Sequence, residues 1–394
     1  MESMKAKISE LAQKYYQSII EYRRYIHKNP EISFQEFDTV NYIKSIFDEK
    51  GIEVIPVKGQ TSFFAVIKGS NPGKTIGIRA ELDGLPVNEE TSLDFKSVKS
   101  GAMHACGHDI HMASLIGTGI IIDELKEYWS GRVVLIFESG EEQLPGGAKA
   151  ILESEEFSLY RPDLMIGMHV LPELEAGKVG FCSGRYMASG DEVYITVKGK
   201  GGHAALPHTL VDPVVIASSI IINLQAFVSR NSPALVPTVL SFGKVIANGA
   251  TNIIPNEVSI EGTFRTMDET WRSRAHTLIE SYAKGIAQSM GGECIVEIRK
   301  GYPSVYNNPQ LTEVFSKLSS DFLGHESVVV LEPRMTTDDF AYFSQQIPSV
   351  FFRIGVGFPN SEHYQLHSSQ FIANEEAIKH SVPLLVMLLV NNLR

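Results

Sequence analysis

The sequence predicts an α/β protein in which a mixed, largely parallel sheet is flanked by helices, with a smaller α+β domain inserted into it. Strand-like apolar runs alternate with helical segments at first, and from Asp191 the order becomes β-α-β-β-α-β, as in ferredoxin-like domains. The alternation of strand-like and helical segments resumes near Pro309. A chain of 394 residues is longer than a domain with a single hydrophobic core usually is. We therefore predict a discontinuous larger domain of residues 1–186 and 300–394, and an inserted domain of residues 187–299.

The N-terminal region predicts two helices. Apolar residues recur every three to four positions over residues 5–26, which is typical of an amphipathic helix, and Pro30 lies beyond its end. Ser33 is followed three residues later by Glu36, the pattern of a capping box. We expect this box to open a second helix that runs toward Gly51.

Apolar runs predict the remaining elements of the larger domain. Residues 63–67, 75–82 and 133–137 form strand-like runs, and residues 109–128 have a helical pattern. The longest apolar stretch, residues 382–390, is too short for the roughly 20 residues needed to span a bilayer. We interpret it as a buried C-terminal helix.

The inserted domain is predicted to contain four strands and two helices. A glycine-rich turn at residues 199–202 follows its first strand. The elements, in chain order, are a strand at 193–197, a helix at 213–228, strands at 238–245 and 257–266, a helix at 269–290 and a strand at 294–299.

Composition excludes several classes of partner and site. Lys and Arg total 35 against 46 for Asp and Glu, a net charge of −11 with no basic cluster, so neither nucleic acid nor an anionic membrane is an expected partner. Three widely spaced cysteines give no disulfide framework, which indicates a reducing compartment. The N-terminal segment has no apolar run like a signal peptide, so we expect a cytoplasmic protein.

The densest chemical signal is the segment His104–His111, which holds three histidines and Cys106. Thiolate and imidazole groups are ligands for zinc and neighbouring transition metals. The segment is placed between a predicted strand and a predicted helix, where ligands commonly occur. The sequence therefore indicates a metal site here.

Carboxylates and further histidines follow other predicted strands. Glu141 and Glu142 come after residues 133–137, and Asp83 ends the run at 75–82. One carboxylate of a pair can bind a metal while its neighbour serves as a general base. Because a parallel sheet brings strand ends to one edge, we expect these groups to meet there with His169 and His367.

The sequence resembles the branch of the dinuclear metallopeptidases that contains aminoacylases, hippurate hydrolases and indole-3-acetyl-amino-acid hydrolases. The resemblance extends over nearly the whole chain, from residues 24–31 to residues 366–368. Its most specific parts are HACGHD at residues 104–109 and GKGGHAA at residues 199–205.

The resemblance implies two divalent ions bound by five ligands: Cys106, His108, Glu142, His169 and His367. It implies a bridging Cys106 thiolate, Glu141 as the catalytic base, and Asp83 as a carboxylate that orients a ligand. Manganese or zinc is the expected metal. Cobalt and nickel are further candidates, because imidazole and carboxylate ligands also suit them.

For the inserted domain, the resemblance implies a lid that also forms a homodimer or a tetramer. His203 is similar to a histidine that reaches into a neighbouring subunit's active site and stabilises the oxyanion. Asn252 and Arg265 match residues that bind the substrate carboxylate, a task that suits the two parallel donors of a guanidinium group.

The expected activity is hydrolysis of the amide bond of N-acyl amino acids, such as acetyl or benzoyl conjugates, by metal-activated water with Glu141 as general base. One alternative is a dinuclear metallo-dipeptidase or carboxypeptidase that acts on short peptides. A second is a thiol hydrolase with Cys106 as nucleophile. A third is a dimeric binding protein that has lost its activity.

Departures from the pattern of this branch occur at Glu81 and at residues 138–140, where the branch commonly has a glutamine, a proline and an alanine. Glu81 replaces the usual aspartate, which would shift the geometry around Asp83 by about one methylene. Glu138 replaces a glutamine, and we expect its extra charge to bias the site entrance against acidic side chains.

Overall fold

The structure, a computed structural model, describes residues 2–360 and 364–393 of the chain. These residues form two compact units. The first unit is discontinuous and consists of Met1–Gly184, Tyr306–Glu332 and Asp339–Arg394. The second unit consists of Arg185–Val305 and Pro333–Asp338.

Within the described ranges the chain forms ten α-helices. They are α1 (Glu2–Lys28), α2 (Phe37–Glu49), α3 (His108–Glu124), α4 (Gly147–Leu152), α5 (Glu155–Tyr160), α6 (Pro213–Asn231), α7 (Glu269–Ser289), α8 (Pro309–Leu323), α9 (Ala341–Ser344) and α10 (Glu376–Asn392).

Sixteen strands are found in the same described ranges. They are β1 (Glu53–Pro56), β2 (Phe63–Lys68), β3 (Thr75–Glu81), β4 (Arg132–Glu138), β5 (Leu164–Glu175), β6 (Val179–Phe181), β7 (Gly184–Met187), β8 (Asp191–Lys198), β9 (Gly202–His203), β10 (Thr238–Ile246), β11 (Ile253–Ile254), β12 (Glu257–Thr266), β13 (Glu293–Lys300), β14 (Val305–Asn307), β15 (Val328–Val330) and β16 (Ser349–Gly357).

The first unit is built on a mixed eight-stranded sheet in the order β1-β2-β4-β3-β5-β16-β6-β15. Its centre is parallel, because β3 pairs in parallel with β4 and β5, and β5 pairs in parallel with β16. β1 and β2 are antiparallel additions at one side. The predicted α/β fold with a mixed, largely parallel sheet is confirmed, and the carboxyl ends of the central strands lie at one edge.

Helix α3 is the central helix of the first unit. Every residue from His108 to Ile122 is buried, as expected for a helix that is apolar on all sides. It packs on β3 and contacts both α1 and α10. The C-terminal apolar run lies in α10, whose residues from Ser381 to Val390 are buried as the sequence predicts.

Helix α2 begins at Phe37, three residues later than a cap at Ser33 predicts, and the predicted capping box does not form. Ser33 Oγ donates instead to Asp83 Oδ2 at 2.7 Å. Glu36 precedes the helix without bonding its amides, and the Glu31 carboxylate accepts the Thr39 amide at 2.8 Å. Both residues of the box are therefore free to contact other parts of the unit.

The second unit contains a four-stranded antiparallel sheet in the order β10-β12-β8-β13. Helices α6 and α7 pack against each other and share one apolar core with the sheet. The β-α-β-β-α-β order of the sequence and this strand arrangement confirm the ferredoxin-like domain. Strands β9 and β11 form a separate two-stranded sheet.

Among the described helices, α6 alone has the length and apolar composition of a membrane span. One of its faces, which carries Ile216, Ile220 and Leu224, is buried in the core of the second unit. The opposite face exposes Val215 and Ile222.

A buried ion cluster joins the strands and helix of the second unit around Asp191. Its carboxylate accepts hydrogen bonds from the Arg272 guanidinium and from the Gly301 amide, the latter at 3.1 Å. It also contacts His276 Nε2 at 2.6 Å. Burial alone would raise the pKa of Asp191, but the hydrogen bonds from His276 and Arg272 lower it. The cluster therefore stabilises the folded state with Asp191 ionised.

We expect Asp191→Ala to reduce the free energy of unfolding of the second unit by about 3–5 kcal/mol, because Arg272 loses its buried partner. Urea unfolding followed by fluorescence in a Trp129→Phe background, where Trp271 of α7 reports, measures this loss. Because the folded pKa is depressed, the contribution is present above about pH 4 and is lost as the pH falls further.

The control is Glu280→Gln in α7, which removes an exposed pair with Lys284 and should cost at most about 0.5 kcal/mol. A loss below about 1 kcal/mol for Asp191→Ala would show that the buried cluster contributes little.

Candidate metal centre

The candidate ligands come from four segments of the first unit. Cys106 and His108 lie at the turn that opens α3, and Glu142 follows β4. His169 lies within β5, and His367 lies in the segment between β16 and α10. Gly107 has a φ of 81°, and a Cβ there would lie 2.6 Å from Val170 Cγ2. A glycine is therefore required between Cys106 and His108.

The expectation that each group ends a strand is correct only for the carboxylates. Asp83 and Glu142 follow β3 and β4, whereas β5 continues past His169 to Glu175. Sheet pairing depends on backbone groups, and His169 stays in register with Arg353 of β16. The apolar run of residues 164–168 therefore ends at His169, whereas the strand continues beyond it.

The ligand atoms lie close together in two sets that share one residue. Cys106, His108 and His169 have potential ligand atoms within 4.8 Å of one another, and so do Cys106, Glu142 and His367. Cys106 Sγ is 3.3 Å from His169 Nε2. His367 Nε2 is 3.2 Å from Glu142 Oε1. A third set joins His108, Glu141 and Glu142 within the same limit.

These residues fit a pair of divalent ions. His108 Nε2 is buried and has no hydrogen-bond partner among the described residues, so a donor atom points into the cluster without a partner from the chain. Burial, together with the Glu142 charge, raises the pKa of the Cys106 thiol well above its usual value. A bound cation would favour the thiolate, which is the form that binds metal.

The backbone of His367 is held in an unusual conformation. Its φ is 63°, a left-handed value that residues with a Cβ seldom adopt. Its amide donates to the Ala105 carbonyl at 2.9 Å, which joins the C-terminal segment to the turn that carries Cys106. Two of the three members of the second ligand set, Cys106 and His367, are thereby linked through the backbone.

Asp83 orients the metal-binding segments without belonging to either ligand set. Its backbone oxygen lies 2.9 Å from His108 Nδ1, which leaves Nε2 directed at the cluster. Its Oδ2 accepts the Glu142 amide at 3.0 Å and the Ser33 hydroxyl. Burial would raise the pKa of Asp83, but hydrogen bonding to His108 lowers it. These contacts suit an orienting carboxylate.

Glu138 does not face the site entrance, and the expectation that it biases substrate choice is wrong. It is fully buried, and its Oε2 accepts Arg79 Nε at 2.7 Å. Arg79 also pairs with Glu81 and Asp339, both buried. Burial and the Glu138 charge raise the pKa of Asp339 well above its usual value. Glu138, in place of the glutamine of the branch, therefore adds a negative charge to a buried network, and Arg79 balances this charge.

Glu81 also has a different setting from the one expected. Its carboxylate contacts Arg79 and His111, both of which are buried. His111 Nδ1 lies 2.8 Å from Glu81 Oε2, and the Val170 amide donates to His111 Nε2 at 2.9 Å. His111 thus holds the backbone next to His169. The sequence signalled His111 only through the histidine density of its segment.

The predicted substrate-binding residues lie in the second unit. His203 is an exposed residue of β9 and pairs in register with Ile253, the residue after Asn252. The Ala204 amide donates to the Asn252 carbonyl at 3.0 Å, so this small sheet brings His203 and Asn252 together. Arg265 lies on β12, where it donates to the Met335 carbonyl at 3.1 Å.

Two solved structures are similar to this chain at 32% sequence identity. A protein designated an aminohydrolase from methicillin-resistant Staphylococcus aureus has a TM-score of 0.92, with coverage of 99% of this chain and 100% of that one. The Bacillus subtilis YXEP protein, described as a dinuclear metal-binding peptidase of the M20 family, has a TM-score of 0.82, with coverage of 97% and 99%.

A third structure, the aminobenzoyl-glutamate utilization protein from Klebsiella pneumoniae, shares the fold at 15% identity, with a TM-score of 0.67 and 98% coverage of both chains. The profile described as Peptidase family M20/M25/M40 matches residues 77–391. That match includes every candidate ligand. Together with the paired ligand sets around Cys106, these similarities show that the chain is a metal-dependent hydrolase of the M20 peptidase family.

Proposed function

We propose that this enzyme hydrolyses the amide bond of N-acyl amino acids. The observation that carries the proposal is the arrangement of Glu141, a buried carboxylate whose ligand atom lies within 4.8 Å of those of His108 and Glu142. A base beside a dinuclear site is what hydrolysis of an unactivated amide requires. The similarity to a protein designated an aminohydrolase supports an amide substrate.

The proposed ligands are Cys106, His108, Glu142, His169 and His367. Bound ions supply Lewis acidity, which acidifies water and polarises a carbonyl group. Glu141 accepts the proton of the attacking water and then passes it to the departing amine. Asp83 keeps His108 and the Glu142 backbone in position during these steps.

In the second unit, we assign substrate binding to Arg265 and Asn252 and oxyanion stabilisation to His203. Arg265 offers a planar pair of donors that suits the free carboxylate of an N-acyl amino acid. His203 is exposed on β9, as a residue that acts on a partner subunit must be. This unit would act as the lid and the dimerisation domain.

Manganese or zinc is the proposed metal, since a thiolate favours softer ions while carboxylate and imidazole also accept manganese, cobalt or nickel. The few cysteines, none of which forms a disulfide, support a cytoplasmic location.

We further propose a homodimer formed through the second unit. On α6, Val215 and Ile222 are 50% and 69% exposed, and on the edge strand β10, Val245 is also exposed. An edge strand beside an apolar helix face is a common site of association.

Glu141→Gln should lower kcat by about 10²–10⁴-fold, because the amide cannot accept the proton of the attacking water. The variant should retain two metal ions per chain, as measured by elemental analysis after gel filtration. The matched variant is Glu142→Gln, which should lose both activity and metal. Near-normal turnover by Glu141→Gln would refute the assigned base.

The metal-loaded enzyme should hydrolyse acetyl- and benzoyl-amino acids faster than dipeptides that carry a free amine. The measurement is kcat/KM over a matched panel in which only the acyl group changes. Amides that lack the free carboxylate should react about 10²-fold or more slowly, since Arg265 then has no partner. A preference for dipeptides would instead favour the peptidase alternative.

Ile222→Glu should convert the dimer to a monomer, because it places a charge in the apolar contact on α6. Sedimentation velocity measures the change in mass. If His203 acts on the partner subunit, kcat should fall by about 10²–10³-fold in the monomer. Leu159→Glu, at an apolar residue of α5 that is 74% exposed, should remain dimeric and active. An Ile222→Glu protein that sediments as a dimer would contradict this interface.

A further inference from the structure

The segment that carries Glu141 is fixed through its backbone on both sides of that residue. Before it, the Ser139 and Gly140 amides donate hydrogen bonds, and after it the Glu142 amide does so. The three acceptors come from three separate parts of the chain. Ser62 Oγ accepts the Ser139 amide at 3.0 Å, and Glu36 Oε1 accepts the Gly140 amide at 2.9 Å. Asp83 Oδ2 accepts the Glu142 amide at 3.0 Å.

Glu36 accepts the amide of Gly140, the residue immediately before Glu141, and it is fully buried. Its Oε1 accepts two amides, from Phe34 at 2.8 Å and from Gly140 at 2.9 Å. Its Oε2 accepts the Thr61 hydroxyl at 2.6 Å. The carboxylate thus connects the loop before α2, the loop before β2 and the loop after β4.

Burial raises the pKa of Glu36 to about 7. A proton on Oε2 would point to Thr61, whose hydroxyl can also accept, so Oε1 accepts both amides in either protonation state. The position of the acceptor, and not its charge, is therefore what Gly140 requires.

Gly140 leaves little room for adjustment. Its φ is 68°, and a Cβ there would lie 2.3 Å from the Phe34 ring. Phe34 itself has a φ of 65°. The loop that carries Glu141 therefore packs directly on the loop that carries Glu36, and the Glu36 carboxylate sets the spacing between them.

We propose that Glu36 is a positioning residue for the catalytic base: its carboxylate oxygen fixes the Gly140 amide and thereby the direction of the Glu141 side chain. This inference rests on the proposed role of Glu141. The contact through which Glu36 reaches this segment is its hydrogen bond from the Gly140 amide, so it acts through the Gly140 backbone. Helix α2 does not need this carboxylate, because Glu31 caps it.

Two substitutions separate the position of the oxygen from its charge. Glu36→Asp keeps the charge but is one methylene too short to reach both Thr61 and Gly140, and kcat should fall by about 10–100-fold. Glu36→Gln loses the charge but keeps an oxygen for the two amides, and kcat should stay within about threefold of the original. In both variants KM should change by less than about threefold, and two metal ions per chain should remain bound.

The control is Glu31→Asp, which shortens a neighbouring carboxylate that only caps α2 and should leave kcat unchanged. A kcat for Glu36→Asp close to that of the original protein would overturn the inference. So would an equal loss for Glu36→Gln, since charge would then matter more than position. Glu141→Gln is assayed in parallel. If this variant stays active, the proposed base is wrong. If it is inactive while Glu36→Asp is fully active, the base is correct and only the role of Glu36 is refuted.

Discussion

The structure depends on the burial of many ionisable groups at one edge of a parallel sheet. Burying a charge is costly unless a partner compensates it. The ligand sets place the Glu142 carboxylate within 4.8 Å of both the Cys106 thiol and the Glu141 carboxylate, and Cys106 and Glu141 are buried. Divalent cations would compensate these carboxylates and a Cys106 thiolate, and they would provide a partner for His108 Nε2, which has no hydrogen-bond partner among the described residues.

Beneath this cluster the chain compensates charge by its own means. Arg79 lies among Glu81, Glu138 and Asp339, and burial together with the Glu138 charge raises the pKa of Asp339, which favours its neutral form. The same network extends through His111 to the Val170 amide. The layer that orients the ligands is therefore held together by several buried ion pairs and hydrogen bonds.

Much of the fold and most of the candidate site could be predicted from local sequence patterns. Apolar periodicity located β2, β3, β4 and α3, and the density of Cys and His at residues 104–111 marked the metal cluster. Where the prediction was wrong, long-range contacts decided the outcome. Ser33 and Glu36 match a capping box locally, but Asp83 and Gly140 bind them in the folded chain. Glu138 was expected to affect the site entrance, and its pairing with Arg79 was missed because the two residues are distant in sequence.

The discontinuity of the first unit affects how the protein is made. Cys106, Glu142 and His169 precede the second unit in the chain, whereas His367 follows it. When the chain has emerged from the ribosome as far as His169, the first ligand set is complete but the second still lacks His367. The second unit could then fold before His367 is synthesised. Stable capture of the second ion would then have to wait for the last part of translation, after the backbone bond from His367 to Ala105 has formed.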